Sequence, residues 1–196
     1  MAILCHVCCA ECLLGPLDEL RGRAFTAFFY NPNIHPLIEF RRRLKAVQLL
    51  ADQCSLELIA DREYGLQQYL DQVDRRASDR CRQCYRQRLR RTAQVAAERG
   101  FEAFTTTLLV STHQEHQAVR EVGEEVARET GVPWAYFDWR PLAEAGHAEA
   151  KRRNLYRQQY CGCIFSEYER YKDTGLHLYR PQDSGCHGDT SRMGSP

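Results

Sequence analysis

Short apolar, β-prone runs alternate with stretches of helical periodicity along most of this chain. That alternation limits the fold more than any other feature, because parallel strands can be joined only by long crossovers, usually helical ones. Residues 2–7 form the first such run, and residues 13–21 read as helix. Residues 24–30 are a second buried-strand candidate, closed by the turn-forming Asn31-Pro32-Asn33. Pro36 suits a first helical position, and Leu37, Phe40, Leu44, Val47 and Ala51 keep the three-and-four spacing of a core-facing stripe. Residues 55–60 give a third strand. Asp79 is placed to cap a helix over residues 80–99, with Gly100 as its stop. Residues 102–107 form a fourth strand. Thr112 and Glu115 then have the spacing of a capping box for a helix with the stripe Ala118, Val122 and Val126, ended by Gly131 and Pro133. A fifth strand is expected over residues 134–137, then helical stretches near 142–156 and 165–172. The pattern predicts an α/β domain with a mainly parallel sheet.

A chain of 196 residues with 43% hydrophobic side chains is enough for one sizeable core. Residues 1–173 are read as one domain. From 174 to 196 the composition shifts to Gly, Ser, Asp, His and Pro without periodicity, as expected of a flexible C-terminal tail. The 27 Lys and Arg against 26 Asp and Glu leave a net charge of +1. That excludes a highly charged disordered chain, and it excludes attachment to nucleic acid by bulk charge, so any such site must be a local patch. No apolar stretch approaches the roughly 20 residues of a membrane span, and no membrane partner is expected. The N-terminal segment lacks the basic and long apolar regions of a secretory leader, which points to a reducing, cytoplasmic setting.

Cysteine position carries the chemistry. Of ten cysteines, seven fall in three tight groups: Cys8, Cys9 and Cys12; Cys81 and Cys84; Cys161 and Cys163. The first group follows the first strand, at the edge where open parallel sheets bind ligands. Cys81 and Cys84 share one face of a helix's first turn, where the helix dipole with Arg80, Arg82 and Arg86 favours thiolate or an anionic cofactor. Cys161-Gly162-Cys163 is suited to chelate a metal or to close a tight, reducible disulfide. Four-thiolate zinc is the plain structural alternative, with a zinc-stapled RNA-binding module or a general thiol–disulfide oxidoreductase as the matching functions. Cys5 and Cys54 read as core residues and Cys186 as a thiol of the tail. Seven grouped thiols exceed what one tetrahedral zinc uses. The excess favours an iron–sulfur cluster together with a second metal or a dithiol.

Five segments in order resemble the QueH family of epoxyqueuosine reductases: residues 6–12 (HVCCAEC), 28–36 (FFYNPNIHP), 81–86 (CRQCYR), 105–111 (TTTLLVS) and 160–166 (YCGCIFS). The likeness runs from about Leu4 to about Arg170; the family usually has proline where this chain has Glu11. The resemblance implies a single Rossmann-like domain, related to nucleotide hydrolases, with helices on both faces of the sheet. It implies reduction of the epoxide of epoxyqueuosine, at the wobble position of tRNA, to queuosine, the last step of queuosine synthesis. Cobalamin is not implied. Cys8-Cys9-Ala10-Glu11-Cys12 stands where ATP-using relatives carry a phosphate loop, so no ATP use is expected. By the family pattern, Cys8, Cys9, Cys81 and Cys84 are assigned to a [4Fe–4S] cluster and Cys161 and Cys163 to a redox-active pair. The alternative keeps three cysteines on the cluster and uses others, Cys12 and Cys163 among them, with Asp138, to hold a mononuclear iron. The electron donor is left unidentified.

Loss of the epoxide oxygen as water needs an acid or a Lewis acid. Asp138, at the end of the expected fifth strand, is the first candidate and His116 the second. For the tRNA, Arg86, Arg88, Arg90 and Arg91 crowd the helix carrying Cys81 and Cys84. Arg41, Arg42, Arg43 and Lys45 form a second basic run, and Lys151, Arg152, Arg153 and Arg157 a third. Tyr85, with Tyr30, Tyr156 and Tyr160, is a candidate to stack the extruded base.

Overall fold

A computed structural model describes residues 2–74 and 76–174. Cys186 and the expected tail, apart from Thr174, lie outside the described residues. Four strands, β1 (Ile3–His6), β2 (Phe25–Phe29), β3 (Leu58–Ala60) and β4 (Ala103–Thr106), form one all-parallel sheet in the order β3-β2-β1-β4. β1 and β4 are buried along their whole length, as strands covered on both faces must be. The chain runs from β1 outward to β2 and β3, then crosses back to pair β4 with the other side of β1. Strand order therefore reverses beside β1, and the crevice at the carboxyl ends of β1 and β4 is the switch point where such sheets bind ligands.

The crossovers are α1 (Ala10–Leu14) and α2 (Leu17–Arg21) after β1, α3 (Leu37–Cys54) after β2, and α4 (Leu66–Gln72) with α5 (Arg80–Arg99) after β3. The single helix expected over residues 13–21 is broken at Gly15-Pro16, where proline has no amide to continue the ladder, and it begins earlier because Cys9 caps it. Pro36 sits just before α3 rather than inside it, and Leu37 is 37% exposed, so the buried face is Phe40, Arg43, Val47, Leu50 and Ala51. α4 escaped the sequence reading because its glutamine-rich surface hides the two residues that anchor it, Tyr69 and Val73. α5 has the predicted bounds and stops at Gly100, whose φ of 74° is cheap only for glycine.

α6 (His116–Thr130) starts later than the capping box implies. The Glu115 amide donates to the Tyr85 hydroxyl at 3.3 Å, which takes the place of a Thr112 cap. Its buried stripe is Val119, Val122, Gly123 and Val126, with Ala118 half-buried beside it. The expected fifth strand reduces to a single parallel bridge between Phe104 and Trp134. After Thr106 the chain winds into a 3-10 turn (Thr107–Val110), so a longer ladder has no partner. α7 (Ala143–Arg152) packs on α1, and α8 (Ile164–Tyr171) closes the described fold. α5 lies across β1 and β4 and against α6. The molecule is thus a single α/β unit of the Rossmann-like kind. No helix among the described residues is long and apolar enough to cross a membrane.

Candidate active site

β1 ends at His6, and two residues later the chain turns into α1. The Cys8 amide donates to Thr107 Oγ1 at 3.2 Å, tying the exits of β1 and β4 together across the switch point. Because the chain has left the strand, Cys8 and Cys9 no longer face opposite ways: their Sγ atoms are 3.8 Å apart. Cys9 caps α1, its Sγ accepting from the Cys12 amide at 3.3 Å. The three Sγ atoms of Cys8, Cys9 and Cys12 all lie within 4.8 Å of one another, close enough to share a metal, and all three residues are buried. Thiol hydrogen bonds from Cys12 and Cys9 hold Cys8 well below the ordinary thiol range, while burial raises Cys9 and the bond to Cys8 raises Cys12.

Cys84, Cys161 and Cys163 meet beneath α4, while Cys81 is half-buried against the main core. Cys84 packs with Tyr69, Val73 and Cys163, and Cys161 and Phe165 lie against them. Gly162 has φ 115°, and a Cβ there would stand 2.9 Å from Ile34 Cγ1, so only glycine fits this turn. Four bonds hold the turn. The His35 amide donates to Gly162 O at 2.7 Å, Arg43 donates to Cys161 O at 3.1 Å and to Tyr160 O at 2.9 Å, and the Tyr160 hydroxyl donates to His35 O. Cys163 caps α8, accepting from the Ser166 amide at 3.3 Å. Both thiols of the turn are free. The Cys163 thiol bonds to Cys161 and holds it down at about 5, while the same bond raises Cys163. Burial pushes Cys84 up to about 11.

Two buried guanidinium groups join the groups. Arg43, from α3, holds the Cys161 turn and its charge acts on Cys9 and Cys8. Arg88, from α5, donates to Cys84 O at 3.2 Å and to Cys84 Sγ at 3.3 Å. The two cations thus link three cysteine groups separated by up to 155 positions in the chain (Cys163 minus Cys8), although among the described residues only Cys8, Cys9 and Cys12 bring their Sγ atoms within 4.8 Å of one another.

Other expectations need correction. Asp138 is exposed and bound by Arg140 at 2.6 and 2.8 Å, which holds its carboxyl at about 2. Ionised at neutral pH, it has no proton to give, and among the described residues no bond joins it to a cysteine. His116 lies beside it, bonded to the Tyr136 hydroxyl at 2.9 Å, and burial lowers its pKa. Arg88 is only 3% exposed, because it shares the inward face of α5 with Cys84, so it is no RNA-facing residue. Tyr85 is likewise buried, its hydroxyl donating to Gln114 Oε1 at 2.8 Å, and offers no stacking face. Arg86 is paired with Glu125 and Glu129 of α6, and Arg91 with Glu98 at 3.2 Å, whereas Arg90 is exposed. Cys5 is a core residue as expected, and Cys54 packs partly buried against the core.

A family model described as "Epoxyqueuosine reductase QueH" matches residues 3–169. The chain belongs to the QueH family of epoxyqueuosine reductases. Relatives bearing that name include one from Dehalococcoides mccartyi, 41% identical, with 86% of this chain and 94% of the relative covered. Another, from Thermotoga maritima, is 37% identical with 86% and 91% covered, and one from Streptococcus pyogenes is 32% identical with 84% and 70% covered. All seven grouped cysteines of this QueH-family chain lie inside the matched region.

The structure also shows what the cysteine-free motifs do in this QueH-family fold. Asn31 donates to Val7 O at 2.9 Å, just before Cys8, and four residues on His35 holds Gly162. Thr107 holds Cys8, and Thr106 bonds His6 Nδ1 at 2.7 Å. Sequence reasoning left His6 and Tyr69 without roles and placed Arg43 in a basic run for tRNA, whereas Arg43 is buried and bonds the Cys161 turn. The one signal for Arg43 was its place, one of few charged residues on an otherwise apolar helix face.

Proposed function

We propose that the chain reduces the epoxide of epoxyqueuosine, at the wobble position of tRNA, to queuosine, with an iron–sulfur cluster and an adjacent redox-active cysteine pair. The observation that carries this reading is the buried thiol triad at the switch point, linked by two buried cations to the cysteines of α5 and of the Gly162 turn, in a chain of the epoxyqueuosine reductase family. The donor set fits a thiophilic metal centre: three buried thiols lie within 4.8 Å, one already held low, with guanidinium charge behind them to offset the negative charge of several thiolates.

When bound, a [4Fe–4S] cluster supplies single electrons. Removal of an epoxide oxygen as water takes two electrons and two protons. Cys161 and Cys163, as thiolate and thiol at neutral pH, hold the electron pair and one of the protons: their oxidation to a disulfide releases two electrons and one proton, and a second proton taken from solvent water completes the reduction of one epoxide to one alkene and one water. Electrons from an external donor, passed singly, restore the dithiol. Arg43 and His35 fix the backbone of that pair, and Gly162 lets its thiols meet. Cys8 and Cys9 from the β1 side and Cys81 and Cys84 from α5 are the cluster ligands in this reading, supported by Arg88, which bonds Cys84 while its charge acts on Cys8.

The proximity of Cys12 to Cys8 and Cys9 favours a second partition, which differs from the expected alternative in moving Cys12 from the mononuclear iron to a cluster held with Cys8 and Cys9. Metal analysis of anaerobically purified protein tests both. Iron with inorganic sulfide, and conversion of epoxyqueuosine to queuosine in tRNA by the reduced protein, are expected. Zinc without iron and no conversion overturns the proposal in favour of a zinc-stapled RNA-binding module. Loss of sulfide in Cys81→Ala supports the first partition; its retention there with loss in Cys12→Ala supports the second.

A further inference from the structure

Arg43 and Arg88 are 1% and 3% exposed, and only one of them has a carboxylate. Arg43 Nε donates to Glu39 Oε1 at 2.7 Å, a complete ion pair within α3. Arg88 has no ion pair with any Asp or Glu among the described residues. Its guanidinium donates from Nε to Cys84 O and from Nη2 to Cys84 Sγ, and it lies 5.7 Å from the centre of the Tyr85 ring. A buried charge without a counter-charge is among the costliest features a fold can carry, and removal to solvent is open to most arginines on α5. Arg88 instead follows Cys81 and Cys84 at the i, i+3, i+7 positions of one helix face, so the helix itself aims the cation at the thiols.

We propose that Arg88 is the counter-cation of an anionic redox centre held between the β1 and α5 cysteines, and that it raises the reduction potential of that centre. The inference rests on the functional reading above and deepens it: Arg88 acts through the centre and touches no substrate. The charge of Arg88 acts on Cys8, Cys84 and Cys161, one cysteine from each of the three groups. A metal centre bound by several thiolates is already negative, and one-electron reduction adds a further negative charge with no proton to offset it. A fixed cation in contact with a ligand sulfur favours the reduced form, and a buried one is little screened by solvent. Arg43 shares the site but its charge is answered by Glu39, which leaves Arg88 as the buried cation whose partners are the cysteines alone.

The test is the midpoint potential of the iron–sulfur centre in anaerobically reconstituted full-length protein, titrated with dithionite and followed by electron paramagnetic resonance, with iron and sulfide measured on each sample. Arg88→Gln is expected to disfavour reduction at least tenfold, which for a one-electron couple is a fall of about 59 mV. Arg88→Lys, which keeps the charge, is expected to restore most of that shift. Arg90→Gln, a neighbouring but exposed arginine, is expected to leave the potential unchanged. A wild-type potential in Arg88→Gln with full iron and sulfide overturns the inference. If Arg88→Gln binds no iron, Arg88→Lys decides. Iron retained at the wild-type potential upholds the charge role. Iron lost from a Lys variant that unfolds like wild type when metal-free makes Arg88 a geometric ligand support and overturns it. Iron and sulfide in the wild type test the functional reading alone, so failure of that reading is seen before any variant is compared.

Discussion

Gly162 sets the chemistry available to its neighbours. Its φ of 115° closes the turn so that the Cys163 thiol bonds to Cys161, and the shared proton leaves Cys161 with a pKa of about 5. At neutral pH the pair therefore holds one thiolate and one thiol, poised to give up one proton and an electron pair together. Cys161→Ser and Cys163→Ser are expected to keep most of the iron and sulfide yet to lose at least about 100-fold in turnover, since general acid and redox groups of this kind are worth about that much or more. Thiol trapping under anaerobic single turnover should show one additional disulfide after substrate is added, absent from both serine variants. Should these substitutions instead strip iron, with no substrate-dependent change in thiol count, the pair is a set of metal ligands.

At the scale of elements, the site depends on how closely α1 can approach α7 and how firmly β1 is joined to its neighbours. A Cβ on Gly146 of α7 would lie 2.8 Å from Glu11 O and 2.9 Å from Gly15 N, backbone atoms of the helix that carries Cys12. Gly146→Ala is expected to cost about 1–3 kcal/mol through overpacking. It should also lower metal content, because α1 must shift; chemical denaturation and iron analysis of one preparation measure both, and unchanged iron would detach α1 from the site. His6, at the end of β1, bonds Thr106 of β4 through Nδ1 and the Tyr30 carbonyl beyond β2 through Nε2 at 3.1 Å. Burial lowers its pKa from 6.5 to about 4. The unfolded chain then takes up a proton that the fold refuses, so stability is full above pH 6.5, falls as pH drops toward 4, and levels below it. The loss is about 3 kcal/mol for a shift of this size. Urea unfolding of the metal-free protein between pH 7 and 4 should show a correspondingly smaller loss in His6→Gln; equal losses would refute the assignment.

Across the whole molecule a net charge of +1 leaves no general attraction for RNA, and the fold consumes much of what looked like a basic patch. Arg82 and Arg86 of α5 interlock with Glu121, Glu125 and Glu129 of α6, so they serve helix packing before any partner arrives. If the chain binds tRNA as proposed, phosphate contacts must come from arginines left free, such as the exposed Arg90. Arg90→Ala is expected to reduce the salt dependence of tRNA affinity by about one unit of log–log slope, the amount for one phosphate contact. Arg86→Ala should leave that slope nearly as it is. The reverse order, measured by filter binding at several salt concentrations, would show that the α5–α6 ion pairs open to RNA.

Local patterns in the sequence determined the strands β1 to β4, the bounds of α5 and the three cysteine groups, because burial periodicity, a glycine stop and short spacings are written in neighbouring residues. The parallel α/β class followed from their alternation, and the five motifs carried the family. Tertiary structure alone decided the rest. Thr112 lost its cap to a hydroxyl from another helix, residues 134–137 lost their ladder because β4 winds away after Thr106, and Asp138 went to Arg140 instead of the cysteines. Arg88 turned inward for the same kind of reason. A run of arginines on one helix looks alike along the chain, and only the packing of α5 against β1 and β4 separates the residue facing solvent from the one buried against a thiol.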